Sequence, residues 1–203
     1  MRLFFAITLS EVSCDQVAQL QAHLRATVGD EGIRWTPRLQ FHYTLKFLGD
    51  ATEAELTAAI EAARIVAAES SPFTFSPAGI GVFPTPRHPQ VLWLGIARHE
   101  GHAAGAQALE NLAARLESGL VERGFAPEER AFRPHLTLAR IKTRTGEAAT
   151  ANALPQWIAW EQTQQWLPIH IARFALLDSE LHPTGAVYTL LETFPLSSVL
   201  DPD

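Results

Sequence analysis

The hydrophobic pattern of this chain switches between two periods, and the switches come twice in the same order. Arg2–Leu9 (RLFFAITL) is a short apolar and aromatic run that predicts a strand. From Cys14 to about Val28, apolar residues at Val17, Leu20, Leu24 and Val28 recur at three- and four-residue steps. That is the spacing of an amphipathic helix, and Gly29 and Gly32 end it. Phe41–Leu48 predicts a second strand, closed by Gly49-Asp50. Thr52 with Glu55 three residues on is a capping-box signature, and an Ala-rich helix is expected from there to about Ala68. Pro72–Val82 reads as one or two strands, kinked or bulged at Pro77 and Gly79, and Pro84–Pro89 (PTPRHP) as a turn-rich loop.

The order then repeats. Val91–Ala97 is a strand, Leu109, Leu112, Leu116 and Leu120 mark a helix that stops near Gly124, and Phe132–Ile141 is the next strand. A weaker helical stretch covers about Glu147–Trp160. Ala172–Ser179 and Ala186–Phe194 read as two strands joined through the turn His182–Gly185. The matching order predicts an internal duplication within one domain, residues 1–203, with halves of about 1–85 and 90–198.

Each half holds the same short phrase on its second strand: HYTLKFLG from His42 and HLTLARIK from His135. Alternate residues of a strand face one way, so His42 shares a face with Thr44, and His135 with Thr137, about 6–7 Å apart. Either phrase alone is what an ordinary strand with one hydrogen-bonded histidine looks like. Two of them, placed equivalently in a duplicated architecture, point to one shared groove.

Composition narrows what such a groove can serve. A chain of 203 residues, 47% hydrophobic, can bury a real core. One cysteine, Cys14, excludes an internal disulfide and a cysteine zinc site. The net charge of −6 argues against tracking long nucleic acid, which needs a basic face, so any nucleic-acid role is local to an end or a small nucleotide. The apolar run Leu3–Leu9 is too short for a membrane span and lacks a cleavage site, so the expected protein is soluble and cytoplasmic.

Two imidazoles suit phosphoester chemistry. With an unperturbed pKa of about 6.5, one can act as base while the other acts as acid at neutral pH. Threonine hydroxyls can donate to non-bridging phosphate oxygens. Metal ligation is the rival use of paired histidines, but neither phrase contains a third ligand.

These phrases, with MRLFFAITL, GVFPTPRHPQVLWLG, FRPHLTLARIK and SELHPTGAVYTLLETFPL, resemble the two-histidine (2H) phosphoesterases over nearly the whole chain. The resemblance is specifically to the RNA 2′,3′-cyclic phosphodiesterases formerly called 2′-5′ RNA ligases. It implies an α/β (α+β) fold of two pseudo-symmetric lobes, each an antiparallel-rich sheet with helices on its outer face, around a central groove. It implies no metal and no cofactor, and hydrolysis of RNA 2′,3′-cyclic phosphate ends to 2′-phosphomonoesters. The implied partners are RNA ends or small cyclic nucleotides; no obligate protein partner is evident and a monomer is expected. By the same resemblance His42 is the proton donor, His135 the proton acceptor, Thr44 and Thr137 phosphate binders, and Arg140 a phosphate clamp. Ligation at the same site, or a nucleotide-binding module without turnover, stay open as alternatives.

Strand alternation by itself nominates Lys46, in phase with His42 and Thr44, as a substrate contact; Arg140 lies on the opposite parity from His135 and needs a bulge to turn inward. Phe83 is a candidate for stacking on a base. His23, His99, His102 and His170 read as solvated, His88 as loop and His182 as turn. Trp93 reads as core, and Trp157, Trp160 and Trp166 as cover for the second lobe.

Overall fold

The computed structural model describes residues 1–182 and 185–197. In chain order the strands and helices are β1 Arg2–Thr8, α1 Glu11–Val28, β2 Ile33–Trp35, β3 His42–Asp50, α2 Glu53–Ala68, β4 Phe73–Phe75, β5 Pro77–Thr85 and β6 His88–Ile96. They continue as α3 Ala103–Val121, β7 Leu136–Ile141, α4 Arg144–Glu161, β8 Ile169–Ile171, β9 Arg173–His182 and β10 Gly185–Pro195. A 3₁₀ turn, Arg38–Gln40, precedes β3. Caps set the helix starts. The Ser10 hydroxyl accepts the Ser13 N–H, so α1 begins earlier than its apolar spacing suggests, and Thr143 does the same for α4. Thr52 and Glu55 form the expected capping box of α2.

All strands pair antiparallel. One sheet runs β10-β9-β1-β3-β7-β6-β5, with β2 on the far part of β7, and β4 pairs β8 in a small second sheet. The long sheet is two lobes that meet at one residue pair, Tyr43 of β3 opposite Leu136 of β7. Those two residues directly follow His42 and His135, so a pseudo-two-fold axis passes through the junction. The ladders on either side repeat one another. Phe4↔Phe47, Phe5↔Lys46 and Ala6↔Thr44 in one lobe correspond to Val91↔Arg140, Leu92↔Ala139 and Trp93↔Thr137 in the other. The two lobes therefore repeat one another in register about the junction.

The halves of the sequence are not the lobes in space. Strands β9 and β10, from the second half, complete the sheet begun by β1 and β3, while β5, from the first half, completes the sheet of β6 and β7. The helices cross over in the same way: α3 packs under β3 beside α2, and α1 packs with α4, which covers β5 and β6. A single core lies between the helices and the sheet and includes Leu3, Phe5, Tyr43, Leu94, Leu109, Leu136 and Trp157. On the opposite, groove side, Phe4, Ala6, Ala175 and Leu177 form a small separate cluster with Tyr188 against it.

Three expectations need correction. Pro84–Pro89 is no loop: Pro84↔Pro89 and Thr85↔His88 pair, leaving a turn at Pro86-Arg87. The prolines are tolerated because β5 is an edge strand and Pro89 lies beyond the last β6–β7 pair, Val91↔Arg140. The strand expected over Phe132–Ile141 begins only at Leu136, since Pro134 has no N–H to donate. The turn expected at His182–Gly185 includes residues 183 and 184, which lie outside the described residues. No described helix is long and apolar enough to cross a membrane.

The Tyr43 hydroxyl, fully buried, crosses the lobe junction to donate to the Gly95 carbonyl of β6 at 3.1 Å. Tyr43→Phe leaves that buried carbonyl unsatisfied and should lower stability by about 1–3 kcal/mol in urea unfolding; an unchanged midpoint would show that the bond contributes nothing to joining the lobes.

Candidate active site

Both histidines are held by the same local device. His42 opens β3 with Nδ1 2.7 Å from the Gln40 carbonyl, and His135, directly before β7, has Nδ1 2.7 Å from the Arg133 carbonyl. A carbonyl oxygen can only accept, so Nδ1 carries the proton in each ring and Nε2 is left free, a tautomer assigned from the hydrogen bond. Continuing the Tyr43↔Leu136 register by one residue either way sets His42 against Thr137 and Thr44 against His135. The two His/Thr pairs thus interleave across the junction. Neither threonine hydroxyl has a hydrogen-bond partner among the described residues.

Each imidazole sits between two aromatic rings. His42 lies 5.1 Å from Phe4 and 5.3 Å, edge-on at 89°, from Tyr188. His135 lies 5.1 Å from Phe83, edge-on at 86°, and 6.4 Å from Trp93. Trp93, read from the sequence as core, is instead half-buried on the groove side. Its indole rests on Gly81, where a Cβ would come 2.1 Å from the ring, so only glycine leaves it room.

A bulge follows each threonine and decides which cation faces the groove. Between Ala6↔Thr44 and Phe5↔Lys46 the residue Leu45 is left over; between Trp93↔Thr137 and Leu92↔Ala139 it is Leu138. The extra residue reverses the alternation beyond it. Arg140 therefore comes onto the side of His135, and its positive charge acts on His42, His135 and Tyr188 alike. In the first lobe the same reversal turns Lys46 away. Its ammonium, buried at 7% exposure, pairs with Glu117 of α3 at 2.8 Å and donates to the Ala126 carbonyl at 3.0 Å. The expectation that Lys46 shares the face of His42 and Thr44 is thereby corrected. Phe47 takes that face instead, 62% exposed with its ring 5.6 Å from Phe4.

Burial is the main influence on both imidazoles and lowers their pKa values below the ordinary histidine range. The carbonyl acceptors partly oppose this, while the charge of Arg140, and for His42 also that of His135, lowers them further. Burial raises the Tyr188 phenol, against the opposing charge of Arg140. Tyr188, Phe4 and Phe47 escaped sequence reasoning because strand order and bulges decide that they reach the groove. Among the other histidines, His23 is stacked on Trp160 at 3.7 Å and His88 approaches Glu147 at 3.7 Å. Among the described residues no three His, Cys, Asp or Glu gather as metal ligands. Two imidazoles with free Nε2 atoms, two free hydroxyls and one guanidinium can together exchange protons on, and hold, a phosphoryl group.

Comparison with known proteins identifies the fold and the family. A family model described as LigT like Phosphoesterase matches residues 7–93 and, a second time, 102–188. The RNA 2′,3′-cyclic phosphodiesterase of Methanothermobacter thermautotrophicus is 32% identical over 196 residues, covering 97% of this chain and 99% of that one. A crystal structure from Thermus thermophilus matches with a TM-score of 0.74 at 29% identity, covering 97% of this chain and 98% of that one. The crystal structure of E. coli LigT complexed with 3′-AMP matches with a TM-score of 0.69 at 25% identity and the same coverage. With the family pattern present twice and spanning most of its length, this chain belongs to the LigT-like phosphoesterases of the two-histidine superfamily.

Proposed function

We propose that the protein hydrolyses RNA 2′,3′-cyclic phosphate ends to 2′-phosphomonoesters, using its two histidines as general acid and base without a metal. The observation that carries the reading is the matched pair of imidazoles, each fixed through Nδ1 to the carbonyl two residues back, with free Nε2 atoms and Arg140 on one groove. Water attacks phosphorus as His135 Nε2 accepts its proton, and the bond from phosphorus to the 3′ oxygen breaks as protonated His42 donates to that oxygen. Each proton transfer contributes about 10²–10⁴-fold. Thr44, Thr137 and Arg140 hold the non-bridging oxygens, where charge accumulates in the transition state. Relatives named RNA 2′,3′-cyclic phosphodiesterase, and the 3′-AMP bound by E. coli LigT, support the substrate class.

The asymmetry of the groove gives the substrate an orientation. The cationic Arg140 belongs to the second lobe, and its pseudo-symmetric position in the first lobe is the exposed ring of Phe47 beside Phe4. An anion turned to the second lobe leaves the terminal base over Phe47, a face on which any base can stack. Phe83 and Trp93 then serve to pack His135.

His42→Ala and His135→Ala should each reduce kcat by more than about 10²-fold, with full activity of the parent protein in chelator. Near-normal turnover in both variants would sink the acid–base assignment. Product analysis on a 2′,3′-cyclic-phosphate oligonucleotide should give the 2′-phosphate; accumulation of joined 2′-5′ product would favour ligation, which uses the same residues in reverse.

The pH profile has a definite sign. Both imidazoles titrate below the ordinary range in the free protein, so both limbs of the bell in kcat/KM should lie on the acid side of about 6.5. Arg140→Gln removes a charge that disfavours both imidazolium forms, so the limbs should move to higher pH while the rate falls. A profile left in place, or moved to lower pH, would contradict a shared field at the two rings.

A further inference from the structure

The pseudo-two-fold provides an internal control at the position two residues before each histidine. Both residues there offer the carbonyl that fixes the imidazole, yet their side chains differ. Gln40 is occupied in the first lobe, its amide donating to the Ala186 carbonyl at 2.6 Å. Arg133, its counterpart in the second lobe, is exposed, and its guanidinium has no ion-pair or hydrogen-bond partner among the described residues. Arg133 borders a cavity of about 410 Å³ on the His135 side of the groove, floored by Trp93, Pro134 and the backbone at Ala78 and Gly79. Two of its lining residues are glycines, Gly79 and Gly95, and at Gly95 the packing is close: a Cβ there would stand 2.9 Å from the Ala78 carbonyl oxygen and 3.2 Å from the Trp93 ring. The other arginine at its rim, Arg98, is already paired with Glu110. Arg133 is thus the rim cation left for a ligand.

We propose that this cavity is a second substrate subsite, holding the nucleotide on the 5′ side of the cyclic phosphate, with Arg133 on the phosphodiester that joins the two. The proposal rests on the phosphodiesterase reading above, which fixes the direction. With a terminal cyclic phosphate at His42 and His135, the chain can continue only through the 5′ oxygen of that ribose. That continuation is one anion and one nucleoside, which match one free guanidinium and a floor of indole and proline. The wall shared with the active site is Trp93, whose ring is 6.4 Å from that of His135, so the subsite lies within one nucleotide of the reacting phosphorus. The first lobe differs at the corresponding place: Gln40 is occupied there and the hairpin of β9 and β10 continues the sheet. The protein therefore acts as a reader of RNA ends rather than of free cyclic mononucleotides.

The test compares kcat/KM for a dinucleotide ending in a 2′,3′-cyclic phosphate with that for the matching nucleoside 2′,3′-cyclic phosphate. The parent protein should prefer the dinucleotide by about tenfold or more, the scale of one charge-assisted contact. Arg133→Gln should lower that ratio about tenfold, and Arg133→Lys should keep most of it. The salt dependence of dinucleotide binding, measured with the 2′-phosphate product, should lose about 0.7 from its log–log slope in Arg133→Gln, the share of one single-strand phosphate contact. A parent protein without preference, or a ratio and slope unchanged by Arg133→Gln, would overturn the subsite while leaving the phosphodiesterase reading intact. Failure of the parent protein to cleave either compound would overturn that reading and the subsite with it.

Discussion

Everything at the groove depends on how two strands meet at a single residue pair. Tyr43 and Leu136 form the only bridge between β3 and β7 among the described residues. A longer ladder would make one continuous sheet with the histidines spread along it. With no bridge the two histidine strands would be held together only through the shared core and the crossed-over helices. One bridge, reinforced by the Tyr43 hydroxyl on the Gly95 carbonyl, lets the lobes diverge into a groove while keeping His42 and His135 at its centre. An antiparallel pairing through a pseudo-two-fold also means that each histidine is set against the threonine of the other phrase.

The second constraint is the bulge after each threonine. A strand with strict alternation cannot present His, Thr and the residue at the fifth position after the histidine on one side, and the unpaired Leu45 and Leu138 remove that restriction. The reversal also explains why two cations one residue apart in the repeat have opposite fates. Lys46 falls among apolar neighbours, where a long ammonium is stable only with a close counter-charge, and Glu117 supplies it. Arg140 stays solvated at the groove and lends its field to both rings, so the site combines a pair of imidazoles whose burial lowers their pKa values with a positive charge that lowers them further.

Much of this is legible from residues alone. Periodicity finds the main helices and most of the strands, and the repeated phrase locates His42, Thr44, His135 and Thr137 by spacing and equivalence. Whatever depends on pairing stays hidden. β2 is three residues long and exists because β7 offers it an edge. Trp93 reads as core because nothing local reveals that Gly81 and Gly95 hold its ring on the groove side. Tyr188 reaches His42 only because β10 lies two strands from β1, a neighbour relation that no local pattern encodes. Parity counted from His42 likewise favours Lys46, because a bulge has no fixed signature in sequence. The likeness to a known family is what nominates Arg140.

The crossed-over halves have a further meaning. Strands and helices exchanged about a two-fold are the geometry of an isologous dimer, here written into one polypeptide. In a true dimer both copies of every residue would be identical, so the two histidines would have the same neighbours. An exposed Phe47 could not coexist with an arginine at the equivalent position, nor a hydrogen-bonded Gln40 with an Arg133 that has no partner among the described residues. Covalent fusion lifts that identity. Different side chains at two symmetric positions are what the joined chain gains.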